Sequence, residues 1–268
     1  MGGGRSKDGT PVYYRRGGRY FRWDEKEIKR KEKKEPEKSF RDRVNEAKTN
    51  AELLSVLREK YETTDDFVEK NDIEKIKRVV STLEEMQERY PILGNFIKRL
   101  SESKIGIASM DNYGNLTINS NYYGLTGHSS GWYQKTRGWW PPNASPESMI
   151  AHEFGHAMHN AFFNKLMRQP GTLSDFDKLF KQKNTGGYLR DIEKAVMKKV
   201  GVKTKRELYR QISGYSSYAE DHKSTKGNII RVGVFEAIAE SFADVYSNGD
   251  NASPASKAFV EELVNALQ

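Results

Sequence analysis

The apolar positions of the chain change their period along its length. Across residues 39–100 they recur at helical spacing, most clearly at Ile73, Ile76, Val79, Val80, Leu83, Met86 and Tyr90, with charges between them. Pro91 ends that helix, since proline has no N–H to continue the ladder. Leu53, Leu54, Val56 and Leu57 mark a shorter helix with Asn50 as its expected cap. Past Leu100 the pattern alternates. Residues 105–110 and 116–119 flank the turn-forming segment 111–115, which predicts a β-hairpin. A long loop at 124–143 follows, carrying His128, Trp132, Trp139 and Trp140. Loops of that length tend to carry function, although covering a core edge is the plainer use of its tryptophans.

The helical period then returns with chemistry on it. Ser145-Pro146-Glu147 reads as a helix start: a capping hydroxyl, proline in the first turn, and an acid at the positive end. At ~100° per residue, His156 lies ~40° from His152, Asn160 ~80° and Glu153 ~100°. Ile150, Phe154, Ala157, Met158 and Ala161 gather on the opposite side. Two histidines one turn apart can bind one metal ion, and the Glu beside the first is placed to act as general base on a water. His159 sits nearly in line with His152 but ~10 Å along the axis. It therefore reads as a residue behind the ligands or lining the cleft, and His128 as a loop histidine.

A catalytic metal needs a third protein ligand. The helix spanning 234–246 places Glu236, Glu240 and Asp244 on one face, opposite Phe235, Ile238, Phe242 and Val245. Three acids at that spacing repel one another unless a cation or imidazole faces them. Either Glu236 or Glu240 can open an acid-x-x-x-acid element here.

Composition narrows the chemistry. The chain has no cysteine, which excludes a disulfide scaffold, a cysteine-ligated zinc and a cysteine nucleophile, so any metal is held by histidine and carboxylate. Of the net +8, +7 lies in residues 1–43, where 15 Lys/Arg face 8 Asp/Glu. The basic character belongs to an arm, residues 1–38, and the body is close to neutral. Arginines alternate with aromatics and glycines through 13–23, a pattern able to stack on bases or follow phosphates, or else to form a short hairpin or solvated arm. No apolar run reaches the ~18–20 residues of a membrane span. The N-terminus also lacks the apolar stretch of a secretory signal, so a cytoplasmic or virion-associated chain is expected, with no membrane partner.

His152-Glu153-Phe-Gly-His156 followed by Glu236-Ala-Ile-Ala-Glu240 resembles the gluzincin zinc metallopeptidases, in particular the lethal-factor-like group. The resemblance implies one Zn²⁺ per chain, held by His152, His156 and Glu236. It implies that Glu240 buttresses a zinc-bound histidine, that Glu153 is the base, and that Asp244 is spare. A tyrosine upstream of the ligand stabilises the oxyanion in that group, and Ser216-Ser-Tyr218-Ala219 is the similar segment. Tyr218 lies 18 residues before Glu236, farther than in the family, so residues 220–231 form an insertion and Tyr215 and His222 are substitutes. The Asn-x-x-Tyr before the tryptophan loop and Ala243-Asp-Val-Tyr-Ser-Asn-Gly249 are also similar to metallopeptidase-like modules of phage head or minor capsid proteins. The expected fold is α+β: a zincin-like domain at 101–268, a helical region at 39–100 and the arm. The expected function is a zinc endopeptidase acting on a protein or peptide. The alternative is a phage-type structural or nucleic-acid-associated protein that uses the zincin fold as a scaffold, with nucleic acid or a virion protein as partner of the arm.

Overall fold

A computed structural model describes residues 13–16, 19–22, 38–103, 108–119, 141–221 and 233–268. The start of the expected hairpin at 105–107, His128 and the tryptophan loop through residue 140, and His222 with the rest of the insertion from 222 to 231 lie outside the described residues. The chain divides into two compact units, Met1–Ser39 and Phe40–Gln268. In the first, β1 (Tyr13–Arg16) pairs antiparallel with β2 (Arg19–Arg22), with Tyr13 opposite Arg22 and Arg15 opposite Tyr20.

The second unit is mostly helical with one small sheet, a mixed α+β architecture. It opens with α1 (Phe40–Glu46), α2 (Asn50–Leu57), β3 (Glu62–Thr63), α3 (Asp65–Glu69) and α4 (Ile73–Arg89). The strands β4 (Arg99–Glu102), β5 (Ala108–Met110) and β6 (Asn115–Ile118) follow. The sheet order is β3-β4-β6-β5, with β5 antiparallel to β6 and the other pairs parallel. Then come α5 (Pro146–Met167), α6 (Leu173–Lys183), α7 (Arg190–Val200), α8 (Lys205–Arg210), α9 (Gly214–Asp221), α10 (Gly233–Asn248) and α11 (Pro254–Leu267). Among the described residues no helix is long and apolar enough to cross a membrane.

The cap of α2 differs from expectation. Thr49, not Asn50, holds the extended cap backbone (φ −127°, ψ 156°), and its hydroxyl accepts from the Glu52 N–H while the Glu52 carboxylate accepts from the Thr49 N–H. Asn50 is already helical and donates its side-chain amide to the Val68 carbonyl, 3.2 Å away. The start of α5 is as read: Ser145 caps, Pro146 occupies the first turn, and Glu147 accepts from Arg78 Nε at 2.6 Å.

Two helices dominate the packing. α5 and α10 run antiparallel in close contact, and their side chains pair along the whole crossing. Ser148 meets Ser247 at 2.6 Å at one end, and the rings of His159 and Phe235 stack at 4.6 Å at the other. Tyr90, at the end of α4, closes the apolar side: its ring lies 6.0 Å from Phe154 and 5.2 Å from Phe242. The sheet is tied to the same helix, since Asn160 Nδ2 donates to the Asp111 carbonyl in the β5–β6 turn. Gly155 sets the helix separation. A Cβ there would lie 2.7 Å from Ala239 Cα and 3.2 Å from the Ile238 carbonyl oxygen, both backbone atoms that cannot swing aside.

Gly155→Ala is therefore expected to destabilise the fold by ~1–3 kcal/mol through overpacking, in spite of the ~1 kcal/mol gain in helix propensity that alanine brings. Urea unfolding of wild type and variant checks this; an unchanged or raised midpoint would mean that α10 yields freely.

Candidate metal centre

The i, i+4 spacing on one continuous helix puts His152 and His156 on adjacent turns of α5, and α10 brings Glu236 across from them. The three donor atoms form a near-equilateral triangle. His152 Nε2 and His156 Nε2 are 3.2 Å apart, and Glu236 Oε2 lies 3.5 Å from the first and 3.7 Å from the second. Ligands ~2.0–2.1 Å from a tetrahedral ion stand ~3.3–3.4 Å from one another. The triangle therefore has the size that such an ion requires, with a fourth position left over. His152 and Glu236 are buried and His156 is half-buried, and these three residues together could hold a metal ion.

The remaining groups support that triangle. His152 Nδ1 lies 2.7 Å from Glu240 Oε1, which turns the opposite nitrogen, Nε2, toward His156 and Glu236. Glu240 is fully buried, and Ser213 beside it opposes the rise in its pKa that burial causes. Glu153 projects from the same helix beside His152, and the backbone N–H of Met110 on edge strand β5 donates to its carboxylate. Its Oε2 is buried with no hydrogen-bond partner among the described residues. Burial pushes the Glu153 pKa up to about 7; the neighbouring Glu236 and Glu240 add to the rise, while His152 opposes it. A carboxylate tuned to neutral pH beside a metal-sized triangle is suited to proton transfer.

The two imidazoles of the triangle are tuned oppositely. Burial alone disfavours a charge on His152, but Glu236 and Glu240 outweigh it and hold its pKa well above 6.5. Burial lowers the pKa of His156 to about 4, because Glu236 cannot offset it and His152 adds repulsion.

Comparison with family models, curated proteins and solved structures returns no significant match to this chain.

The structure places the other sequence candidates as follows. Asp244 is engaged elsewhere: it accepts from Asn248 Nδ2 at 2.7 Å and from the Ser253 N–H at 2.9 Å, tying the end of α10 to the start of α11. Tyr218 is half-buried on α9. Tyr215, one turn earlier, has its ring centroid 6.4 Å from that of His152. Sequence reasoning missed Ser213, Met110 and Tyr188. The hydroxyl of Tyr188 lies 3.0 Å from His159 Nδ1, and no periodicity or motif marks that residue.

Metal uptake should release protons. In the metal-free site at pH 7 the raised pKa keeps His152 protonated, and a ligating imidazole must be neutral, so at least one proton leaves per ion bound. Zinc affinity is expected to rise with pH through the neutral range. Calorimetric titration with zinc in two buffers of different ionisation enthalpy measures the proton count; a count of zero would show that His152 is already neutral.

Proposed function

We propose that the chain is a zinc-dependent endopeptidase of the gluzincin kind, with a zincin-like arrangement of α5, α10 and the small sheet. The observation that carries the reading is the triangle of His152, His156 and Glu236, whose edges match a tetrahedral site, with the carboxylate of Glu153 beside it. Two imidazole nitrogens and one carboxylate oxygen suit zinc, and they leave a position open for water or substrate.

When bound, zinc supplies Lewis acidity, polarising the scissile carbonyl and acidifying water. The protein's own groups do the rest. Glu153 takes the proton of the attacking water and returns it to the leaving amine, roles that suit a carboxyl whose pKa lies near 7. Glu240 holds the His152 ring through Nδ1. A tyrosine of α9 donates a hydrogen bond to the developing oxyanion. Tyr215, whose ring centroid lies 6.4 Å from that of His152, is a second candidate for that role beside Tyr218. The substrate is an extended peptide running along β5, the edge strand of the sheet, whose Met110 N–H contacts Glu153.

Replacing Glu153 by Gln is expected to leave about one zinc per chain and to lower hydrolysis of a peptide library by ~10²–10⁴-fold. Loss of the metal together with activity would make Glu153 a structural residue.

Exchange of the two α10 acids distinguishes their roles. Glu236→Gln should lose zinc at micromolar free metal, whereas Glu240→Gln should weaken affinity by only ~10–100-fold. Competition with a chromophoric chelator reads both, and the reverse order would make Glu240 the ligand.

A further inference from the structure

Behind the metal triangle, His156 continues into two side chains that the proposed reaction does not use, His159 and Tyr188. His156 Nδ1, the nitrogen opposite the ligating one, lies 3.0 Å from His159 Nε2. His159 Nδ1 lies 3.0 Å from the Tyr188 hydroxyl, and that hydroxyl donates in turn to the His159 backbone carbonyl at 3.4 Å. His159 is 4% exposed and Tyr188 9%. The stack of His159 on Phe235, the residue before Glu236, fixes the plane of its ring.

With both imidazoles neutral, as their burial favours, two arrangements of protons satisfy this chain. A nitrogen-to-nitrogen contact requires one partner to accept, so the two imidazoles cannot both carry two protons. In one arrangement Tyr188 donates to the His159 carbonyl and accepts from His159 Nδ1–H. His159 Nε2 then accepts from His156 Nδ1–H, and the bare Nε2 of His156 faces His152 Nε2, 3.2 Å away. In the other arrangement every proton shifts round. Tyr188 donates to His159 Nδ1, His159 donates from Nε2, and His156 carries its proton on Nε2, where no metal can bind. The bond from Tyr188 to the His159 carbonyl favours the first.

Resting on the metal reading above, we infer that His159 and Tyr188 are positioning residues that lock His156 in the tautomer able to ligate. The ligands of this site are then backed unequally. His152 leans on a carboxylate and His156 on a neutral imidazole, which lends it less electron density. A histidine ligand is ordinarily oriented by a carboxylate, carbonyl or water, and the neutral partner here makes His156 the weaker donor. The metal is left correspondingly more electrophilic.

The test has two parts. Long-range ¹H–¹⁵N spectra of the metal-free, full-length protein report the tautomer of His156 directly. A proton on Nδ1 is expected, and a proton on Nε2 would overturn the inference. Zinc affinity is then measured by chelator competition for His159→Leu, His159→Gln and Tyr188→Phe, with circular dichroism and thermal unfolding confirming that each is folded. His159→Leu should bind ~10–100-fold more weakly. His159→Gln, whose amide oxygen can accept where Nε2 did, should recover most of the loss, and Tyr188→Phe should shift part of His156 to the Nε2–H form. Wild-type affinity in folded His159→Leu, or a Gln variant as weak as the Leu variant, would reduce His159 to packing. Wild-type protein with Nδ1–H on His156 but no zinc uptake would sink the metal reading and leave the tautomer assignment standing.

Discussion

The close crossing of α5 and α10 at Gly155 is the constraint from which the rest of the site follows. A glycine there lets the α10 backbone approach so near that a single Cβ would meet Ala239 Cα at 2.7 Å. That approach brings Glu236 within 3.7 Å of the Nε2 atoms of both histidines and seats Glu240 on His152. Wider separation would leave two histidines and two acids facing each other across a gap. Tyr90, Phe154 and Phe242 fill the apolar side of the same crossing, so packing and site geometry are set by one contact.

That contact has an electrostatic cost. Glu153, Glu236 and Glu240 are all buried beside His152 and His156, where isolated charges are disfavoured by several kcal/mol each. The strain shows in opposite displacements: His152 is held protonated by its acids, His156 is held neutral, and Glu153 is pushed toward neutral pH. A divalent cation in the triangle would relieve this imbalance, taking the place of the His152 proton and offsetting the carboxylates. The same cluster without such a cation has no evident structural benefit, because apolar residues of similar size would pack the crossing at lower cost.

Much of this was legible in the sequence, and the reasons differ by element. α5 is 22 residues long and unbroken, so angular positions counted from His152 translate into real faces. The acids of α10 share a face for the same reason, but their depth along the crossing decides which one reaches Nε2 and which reaches Nδ1. Spacing within a single helix carries no information on that point. The turn at 111–115 was readable from its Asp and Gly. Asp111 Oδ1 accepts from the N–H groups of Tyr113 and Asn115, and Gly114 adopts φ +85° against the Phe96 carbonyl. β3 was not readable: two residues leave no alternation, and their parallel partner β4 lies beyond both α3 and α4. Tyr188 sits in a 3₁₀ turn with no pattern to announce it and acquires its role only through tertiary contact.

The central claim is that His152, His156 and Glu236 together bind one tetrahedral zinc ion. X-ray absorption at the zinc edge, on protein loaded to one equivalent, tests it most directly. The account predicts four nitrogen or oxygen neighbours at ~2.0–2.1 Å, with the outer-shell scattering of two imidazole rings. Six oxygen neighbours, or a spectrum without imidazole scattering, would contradict it.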